Sequence, residues 1–237
     1  MKVKELLAEE MKTGTRILSE IKSKEILELI GIPTTGGLVV KSEEEALKVA
    51  EKIGYPVVLK ICSPDISHKS DVGGVRINLQ NGQMVLDAYK KIIEKVKNKS
   101  PEAKIEGINI QKMAPSGVEV IIGTTTDKTF GPLIMFGIGG VLAELMKDVS
   151  FRIIPINRRD AEYMIHELKG FPLLEGYRGS ERVDIESLSS ALLKVSELAE
   201  QYPEILEMDI NPLFATPKGI TAADARIVLR IEKRMKQ

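Results

Sequence analysis

Apolar positions in this chain switch repeatedly between the spacing of a helix face and that of a strand. Residues 3–12 are amphipathic and stop near Gly14. Leu18, Ile21, Ile26, Leu29 and Ile30 then make the apolar side of a longer helix predicted over Ile17–Ile30, closed by Gly31 and Pro33. Thr35–Lys41 reads as a strand. Ser42 with Glu45 three residues on forms a capping box for a helix over Glu43–Ile53, which Gly54 ends. Pro56–Leu59 is a short apolar run bounded by turn residues, the pattern of a strand buried on both faces, and it carries Lys60 to the edge of a core. A strand over Gly74–Leu79, a turn at Asn81 and Gly82, a helix over Met84–Lys97, a polar linker and a strand over Gly107–Gln111 follow. Helix, strand, helix, strand, strand, helix, strand is an α+β order with a mostly antiparallel sheet.

Ala114, Pro115 and Ser116 break the pattern. Beyond them the spacing predicts strands over Val118–Gly123 and Leu133–Phe136 with a turn at Gly131 and Pro132, then a short helical stretch to Met146 and a strand over Arg152–Ile156. Helices over Arg159–Leu168 and Ile185–Gln201 flank a loop across 170–184, and Glu207–Asn211 with Ile220–Asp224 closes the chain as a hairpin. No internal repeat is present. The expected organisation is a domain over 19–113 and another over 114–237, joined by the N-terminal helix 1–18.

Composition removes several function classes. Thirty-four basic residues balance 34 acidic ones, so no global field draws in nucleic acid or an anionic membrane, and five Phe and five Tyr without Trp leave little for base stacking. Cys62 is the sole cysteine, which excludes an internal disulfide and fits a reducing cytoplasm. There is no apolar signal-peptide core near Lys2, Lys4 and Glu5, and no apolar run of membrane-spanning length, so a soluble protein is expected. Abundant Lys, Glu and Ile with few Asn and Gln lean toward a heat-adapted source.

The candidate chemistry sits at a few places. Lys60 at a buried edge needs a partner anion, and phosphate is one candidate among several. After it, Ser63, Asp65, Ser67, His68, Lys69, Ser70 and Asp71 lead to Gly73 and Gly74, which permit close backbone approach; the same stretch also reads as a solvated loop. Glu207, Asp209 and Asn211 alternate with Met208 and Ile210, placing three polar side chains on one strand face. A turn around Pro217, Lys218 and Gly219 brings Asp224 within about one residue of the position opposite Asn211. Such a set suits Mg²⁺ shared with a nucleotide, which takes one or two carboxylates with phosphates and waters; a polar, solvent-facing sheet is the alternative. Glu119 is a carboxylate among β-branched residues and fits a ribose hydroxyl or an ion pair with a Lys. Gly137, Gly139 and Gly140 follow a strand but fail the dinucleotide fingerprint, since Leu142 holds the third position and Ala143 comes one late; no P-loop motif occurs. Glu144, Asp148 and Arg152 have the spacing of a helix-surface ladder or of a site lining. His68 in its glycine-closed loop suits a phosphoryl acceptor, whereas His166 sits in a helical run. No Ser, His and Asp motif for acyl transfer is present, and nothing around Cys62 marks it as a nucleophile.

Five stretches together carry a family resemblance: YPVVLKICSPDISHKSDVGGV from Tyr55, INIQKMAPSGVEVIIG from Ile108, FGPLIMFGIGGVLAELMKDVSFRIIPI from Phe130, GYRG from Gly176 and EMDINPLF from Glu207. In these the chain resembles the β subunits of ADP-forming acetyl-CoA synthetases, ATP-grasp proteins related to succinyl-CoA synthetase. The resemblance implies an ATP-grasp fold of two α+β lobes with the nucleotide between them. It implies that Lys60, with Gly73 and Gly74 in its loop, serves the nucleotide phosphates, that Gln111, Lys112 and Met113 form a hinge beside adenine, and that Glu119 holds the ribose. Asp209, Asn211 and Asp224 match the Mg²⁺ positions, a relative having Glu at the first, and His68 matches a phosphate-relaying histidine. The implied reaction converts acetyl-CoA, ADP and phosphate to acetate, ATP and CoA. A separate CoA-binding α subunit with its own phosphohistidine would bind acyl-CoA and phosphate in an α2β2 assembly. A stand-alone ATP-grasp carboxylate ligase and a non-catalytic nucleotide-binding regulatory subunit are the alternatives.

Overall fold

The computed structural model describes residues 2–66, 68–140 and 147–230. Ser67 of the candidate loop, and Leu142, Ala143, Glu144 and the helical stretch to Met146, lie outside the described residues. The chain divides into two units, Thr35–Met113 and the discontinuous pair of segments Met1–Thr34 and Ala114–Gln237. Each has its own apolar core.

In the continuous unit, β1 (Leu38–Val40), β2 (Val57–Cys62), β3 (Val75–Leu79) and β4 (Gly107–Lys112) form an antiparallel sheet in the order β1-β4-β2-β3. Helices α1 (Val3–Lys12) and α2 (Glu20–Leu29) precede it in the chain, and α3 (Glu43–Ile53) and α4 (Gly82–Lys99) cover one face of this sheet. The stripe Val85, Ala88, Ile92 and Val96 on α4 repeats at three and four residues, and it packs on Val57, Leu59 and Ile61 of β2. Burial of a side chain such as Ile92 contributes about 1.5–3 kcal/mol. The strand expected over Thr35–Lys41 shrinks to β1 because Gly36 and Gly37, both at positive φ, turn the chain first. Ser42 caps α3 through the Glu45 N–H, but the Glu45 carboxylate reaches back to the Lys41 N–H, one residue beyond the expected box.

In the other unit, β5 (Val118–Asp127), β6 (Gly131–Ile138), β7 (Val149–Ile153), β8 (Ile205–Thr216) and β10 (Arg226–Leu229) lie in the order β10-β8-β5-β6-β7, with β9 (Gly219–Ala222) paired to β8. Helices α5 (Arg158–His166) and α7 (Ile185–Gln201) pack on one face through Ile165, Leu188, Leu192 and Val195; the short α6 (Phe171–Glu175) and a 3-10 turn at Tyr177–Gly179 stand in what the sequence reads as a loop. Among the described residues no helix is long and apolar enough to cross a membrane.

Several boundaries differ from expectation for physical reasons. Ile17 leaves the expected helix to bridge Val228, and Ser19 caps α2 instead. The β5–β6 hairpin runs further than expected because Thr124, Thr125 and Thr126 favour extended backbone, and the Asp127 carboxylate accepts the Thr129 and Phe130 N–H groups to form the tip; Gly131 and Pro132 already belong to β6. Asp148 and Arg152 do not share a helix. Asp148 precedes β7 and accepts the Lys169 and Gly170 N–H groups, while Arg152 forms a bidentate pair with Glu167. The segment 19–34, expected in the first domain, belongs with 114–237: Ile26, Leu27 and Ile32 are buried in that core, and the Ala222 N–H donates to the Pro33 carbonyl.

Candidate functional site

Within the continuous unit, alternation along β2 sends Val57, Leu59 and Ile61 into the core and Lys60 to the opposite face. Lys60 is only 6% exposed, and its partner in register across β4 is Asn109, 0% exposed, followed on the same face by Gln111 at 2%. The Asn109 amide donates to Gln111 Oε1 at 3.3 Å. Lys60, Asn109 and Gln111 thus form a buried polar row on a strand-built surface. Lys112 is exposed, and the Met113 N–H donates to the Pro56 carbonyl at 3.1 Å where the unit ends.

The loop after β2 is tied down rather than loose. Asp65 accepts the Lys104 N–H, the Lys99 ammonium reaches the Asp71 carbonyl, and Ile66 is buried. A Cβ at Gly74 would stand 2.5 Å from Ile61 Cγ2 and 2.9 Å from the Lys69 carbonyl, so glycine is needed there for the loop to close on β2. Gly73, at φ 71°, makes the turn before it. His68 is exposed on this anchored loop.

In the discontinuous unit, β8 presents Glu207, Asp209 and Asn211 on the face away from α5 and α7, with Met208 and Ile210 buried beneath. The ladder to β9 pairs Leu213 with Ala222 and the ladder to β10 pairs Asp209 with Arg226, in one continuing register. Asp224 therefore stands at the break between the two ladders, across from Asn211, and the Ala223 N–H donates to the Pro212 carbonyl beside it. The structure brings Asp209, Asn211 and Asp224 together. Glu119 lies on the same sheet face, on β5 opposite Phe214. The glycine run packs around it: the Gly139 N–H donates to the Glu119 carbonyl at 2.6 Å, a Cβ at Gly139 would come within 3.0–3.1 Å of Glu119, and one at Gly140 within 3.6 Å of its Oε2. Gly139 thus serves strand–strand approach at Glu119, whereas Gly137 serves the approach of β7, where a Cβ would stand 2.8 Å from Val149 Cγ1.

A profile of the ATP-grasp domain family matches residues 9–229. A curated relative, acetate–CoA ligase [ADP-forming] I subunit beta of Pyrococcus furiosus, is 48% identical over 228 residues, 96% of this chain and 98% of that protein. The chain belongs to the ATP-grasp family of ADP-forming acyl-CoA synthetase β subunits. An acetyl-coenzyme A synthetase 1 structure from Candidatus Korarchaeum cryptofilum, in complex with coenzyme A, Ca-AMPCP and HgCl⁺, is 50% identical with a TM-score of 0.93, covering 96% of this chain and 99% of that one. A second structure of that enzyme holds coenzyme A and Mg-AMPPCP, with a phosphohistidine segment pointing towards the nucleotide-binding site; it is 45% identical with a TM-score of 0.83 and the same two coverages.

Among the described residues no group of three or more His, Cys, Asp or Glu gathers into a metal site. Two carboxylates with one amide oxygen, Asp209, Asp224 and Asn211, fit Mg²⁺ only when phosphate oxygens complete the shell, which is the usual arrangement for a nucleotide-bound ion. Asp209 is open to the sheet surface yet crowded by protein. Burial, then the neighbouring Asp224 carboxylate, push its carboxyl above the ordinary value, against the pull of Arg226. The folded chain therefore holds the Asp209 proton more tightly than the unfolded one. Its ionised form costs stability above the raised folded pKa, and the cost fades as pH falls through that value toward 3.8. Asp209→Asn should raise the thermal midpoint of the metal-free protein at pH 7 and lose that advantage near pH 4, while weakening Mg·ADP binding. A melting series across pH checks this; an unchanged or lower midpoint at pH 7 would count against it.

Two residues escape the sequence reading. Asn109 looks like an ordinary strand residue until the β2·β4 register sets it beside Lys60. Arg226 lies beyond the expected hairpin, and only the β10 pairing places it across from Asp209.

Proposed function

We propose that this chain is the nucleotide-binding β subunit of an ADP-forming acyl-CoA synthetase, which with a CoA-binding α partner converts acetyl-CoA, ADP and phosphate to acetate, ATP and CoA. The observation that carries the reading is the register that sets Asp224 across from Asn211, two residues from Asp209, in a chain matched end to end by such subunits. Lys60 binds the nucleotide phosphates, in a loop that Gly73 and Gly74 close; Gln111, Lys112 and Met113 border adenine, and Glu119 accepts from a ribose hydroxyl. Mg²⁺, held by Asp209, Asn211 and Asp224, supplies charge neutralisation for the phosphates when bound. His68 acts as covalent carrier. Its ring nitrogen attacks the phosphorus of the partner subunit's phosphohistidine, the P–N bond there breaks as the new one forms, and a terminal oxygen of ADP then takes the phosphoryl group and frees His68. Positioning and charge stabilisation account for most of the rate in such transfers.

The relative's phosphohistidine segment, directed at its nucleotide site, supports delivery of the phosphoryl group by the partner to the nucleotide site. The assembly proposed is α2β2, with acyl-CoA and phosphate bound by the partner. Cys62, the sole cysteine, cannot form a disulfide within the chain, which fits a cytoplasmic setting. Co-purifying the chain with its α partner and assaying CoA-dependent ATP formation across several acyl-CoAs tests the reading. Turnover only in the complex is expected. An isolated chain that joins an acid to an amine would make it a stand-alone carboxylate ligase, and Mg·ADP binding without partner-dependent turnover would make it a regulatory subunit.

A further inference from the structure

The face of the six-stranded sheet that bears Asp209 is hollowed into a trough of about 310 Å³. Gly123, Thr125, Met135, Phe151, Asp209 and Arg226 line it. Arg226 is exposed, and its guanidinium attracts the Asp209 carboxylate. Nothing in the reading above uses it.

The strand registers give this face a direction. Gly123 on β5 is the partner of Asp209 on β8, and Asp209 is the partner of Arg226 on β10, so the three stand in one line across three strands. Glu119 lies four residues before Gly123 on β5, about 13 Å away at a rise of about 3.3 Å per residue. With Glu119 on the ribose, the line through Asp209 and Arg226 lies a polyphosphate chain's length further on, at the end where the terminal phosphoryl group arrives or departs. Arg226 is the cation on that line, flanked on its own sheet face by Asp209, Asp224 and Glu207. A guanidinium there has five donors in a fork that matches two phosphate oxygens. Charge spreads over those oxygens during transfer, and an arginine is a recurring means of stabilising it.

We infer that Arg226 contacts the terminal phosphoryl group, binding the triphosphate in preference to the diphosphate, and stabilises that group as it passes to or from the nucleotide. This rests on the nucleotide-binding reading above. At equilibrium it separates Arg226 from Lys60 and the metal residues, which serve both nucleotides.

The test is direct binding to the isolated chain, by calorimetry, of Mg·ADP and of the non-hydrolysable analogue Mg·AMPPCP. Arg226→Gln should weaken the triphosphate analogue by about tenfold or more while leaving Mg·ADP within about twofold. Retained Mg·ADP binding is also the control for folding. Should this variant fail to fold, Arg226→Lys keeps the charge, loses the fork and should show a smaller loss of the same selective kind. Equal weakening of both nucleotides would place Arg226 at the metal or the inner phosphates, and no weakening of either would remove it from the site; each overturns the inference. A wild-type chain that binds neither nucleotide would instead defeat the nucleotide-binding reading itself. In the complex with the partner, Arg226→Gln should lower kcat for ATP formation with the KM for ADP little changed.

Discussion

Lys60→Met should lower the affinity for Mg·ADP by about 10–100-fold with little loss of fold stability. Methionine preserves most of the apolar stem that packs in this 6%-exposed position, so the change removes mainly the charge. A charge-assisted hydrogen bond contributes about 1.5–3 kcal/mol, and each 1.4 kcal/mol is a factor of ten in Kd. The lysine stands on the middle of a strand paired on both sides, with β3 and with β4, so it gives up little conformational freedom when it meets an anion. Arginine should not rescue it, because a wide planar fork is not accommodated at a 6%-exposed position whose register partner, Asn109, is itself 0% exposed. Titration calorimetry with a parallel melting curve measures both quantities, and wild-type affinity in a folded Lys60→Met protein would end the phosphate assignment.

His68→Ala should have the opposite profile. The residue is exposed on a loop held by Asp65, Asp71 and the closing glycines, none of which depends on the imidazole. Stability and Mg·ADP affinity should stay near wild type. Partner-dependent ATP formation should fall by about 10³-fold or more, the scale on which loss of a covalent nucleophile is felt, and phosphate carried by the partner should no longer appear on this chain. Full ATP synthesis by His68→Ala would show that the partner delivers phosphate to ADP directly.

The sequence was most informative where side-chain alternation and turn chemistry agree. Glu207, Asp209 and Asn211 on one face, followed by the turn at Pro217–Gly219, are enough to infer the hairpin, because a strand period of two and a short connection leave few registers. It was least informative where the partner is distant in the chain. The glycines Gly137, Gly139 and Gly140 fit no nucleotide fingerprint, and the close approach that Gly139 serves is to Glu119, a strand partner distant in the chain. Likewise the apolar stripe of α2 says that a core will bury it and not which one; Ile26 and Leu27 lie in the core of the discontinuous unit. Arg226 was hidden for the same reason: its place is set by pairing with Asp209, not by any motif around it. The α+β class and the antiparallel pairing were legible because they follow from element order.

The division of the chain also orders its maturation. Residues 35–113 form a continuous unit, so their core can close as soon as that stretch has emerged during synthesis. The other unit has to wait. Its first segment meets its last through the Leu18 N–H on the Ile227 carbonyl and the Leu229 N–H on the Arg16 carbonyl, so residues 16–18 are fastened only after residues 227–229 have been made. Asp209, Asp224 and Arg226 therefore take their places after Lys60 and Asn109, and a ribosome-bound chain released early would carry the buried lysine row without the acidic hairpin.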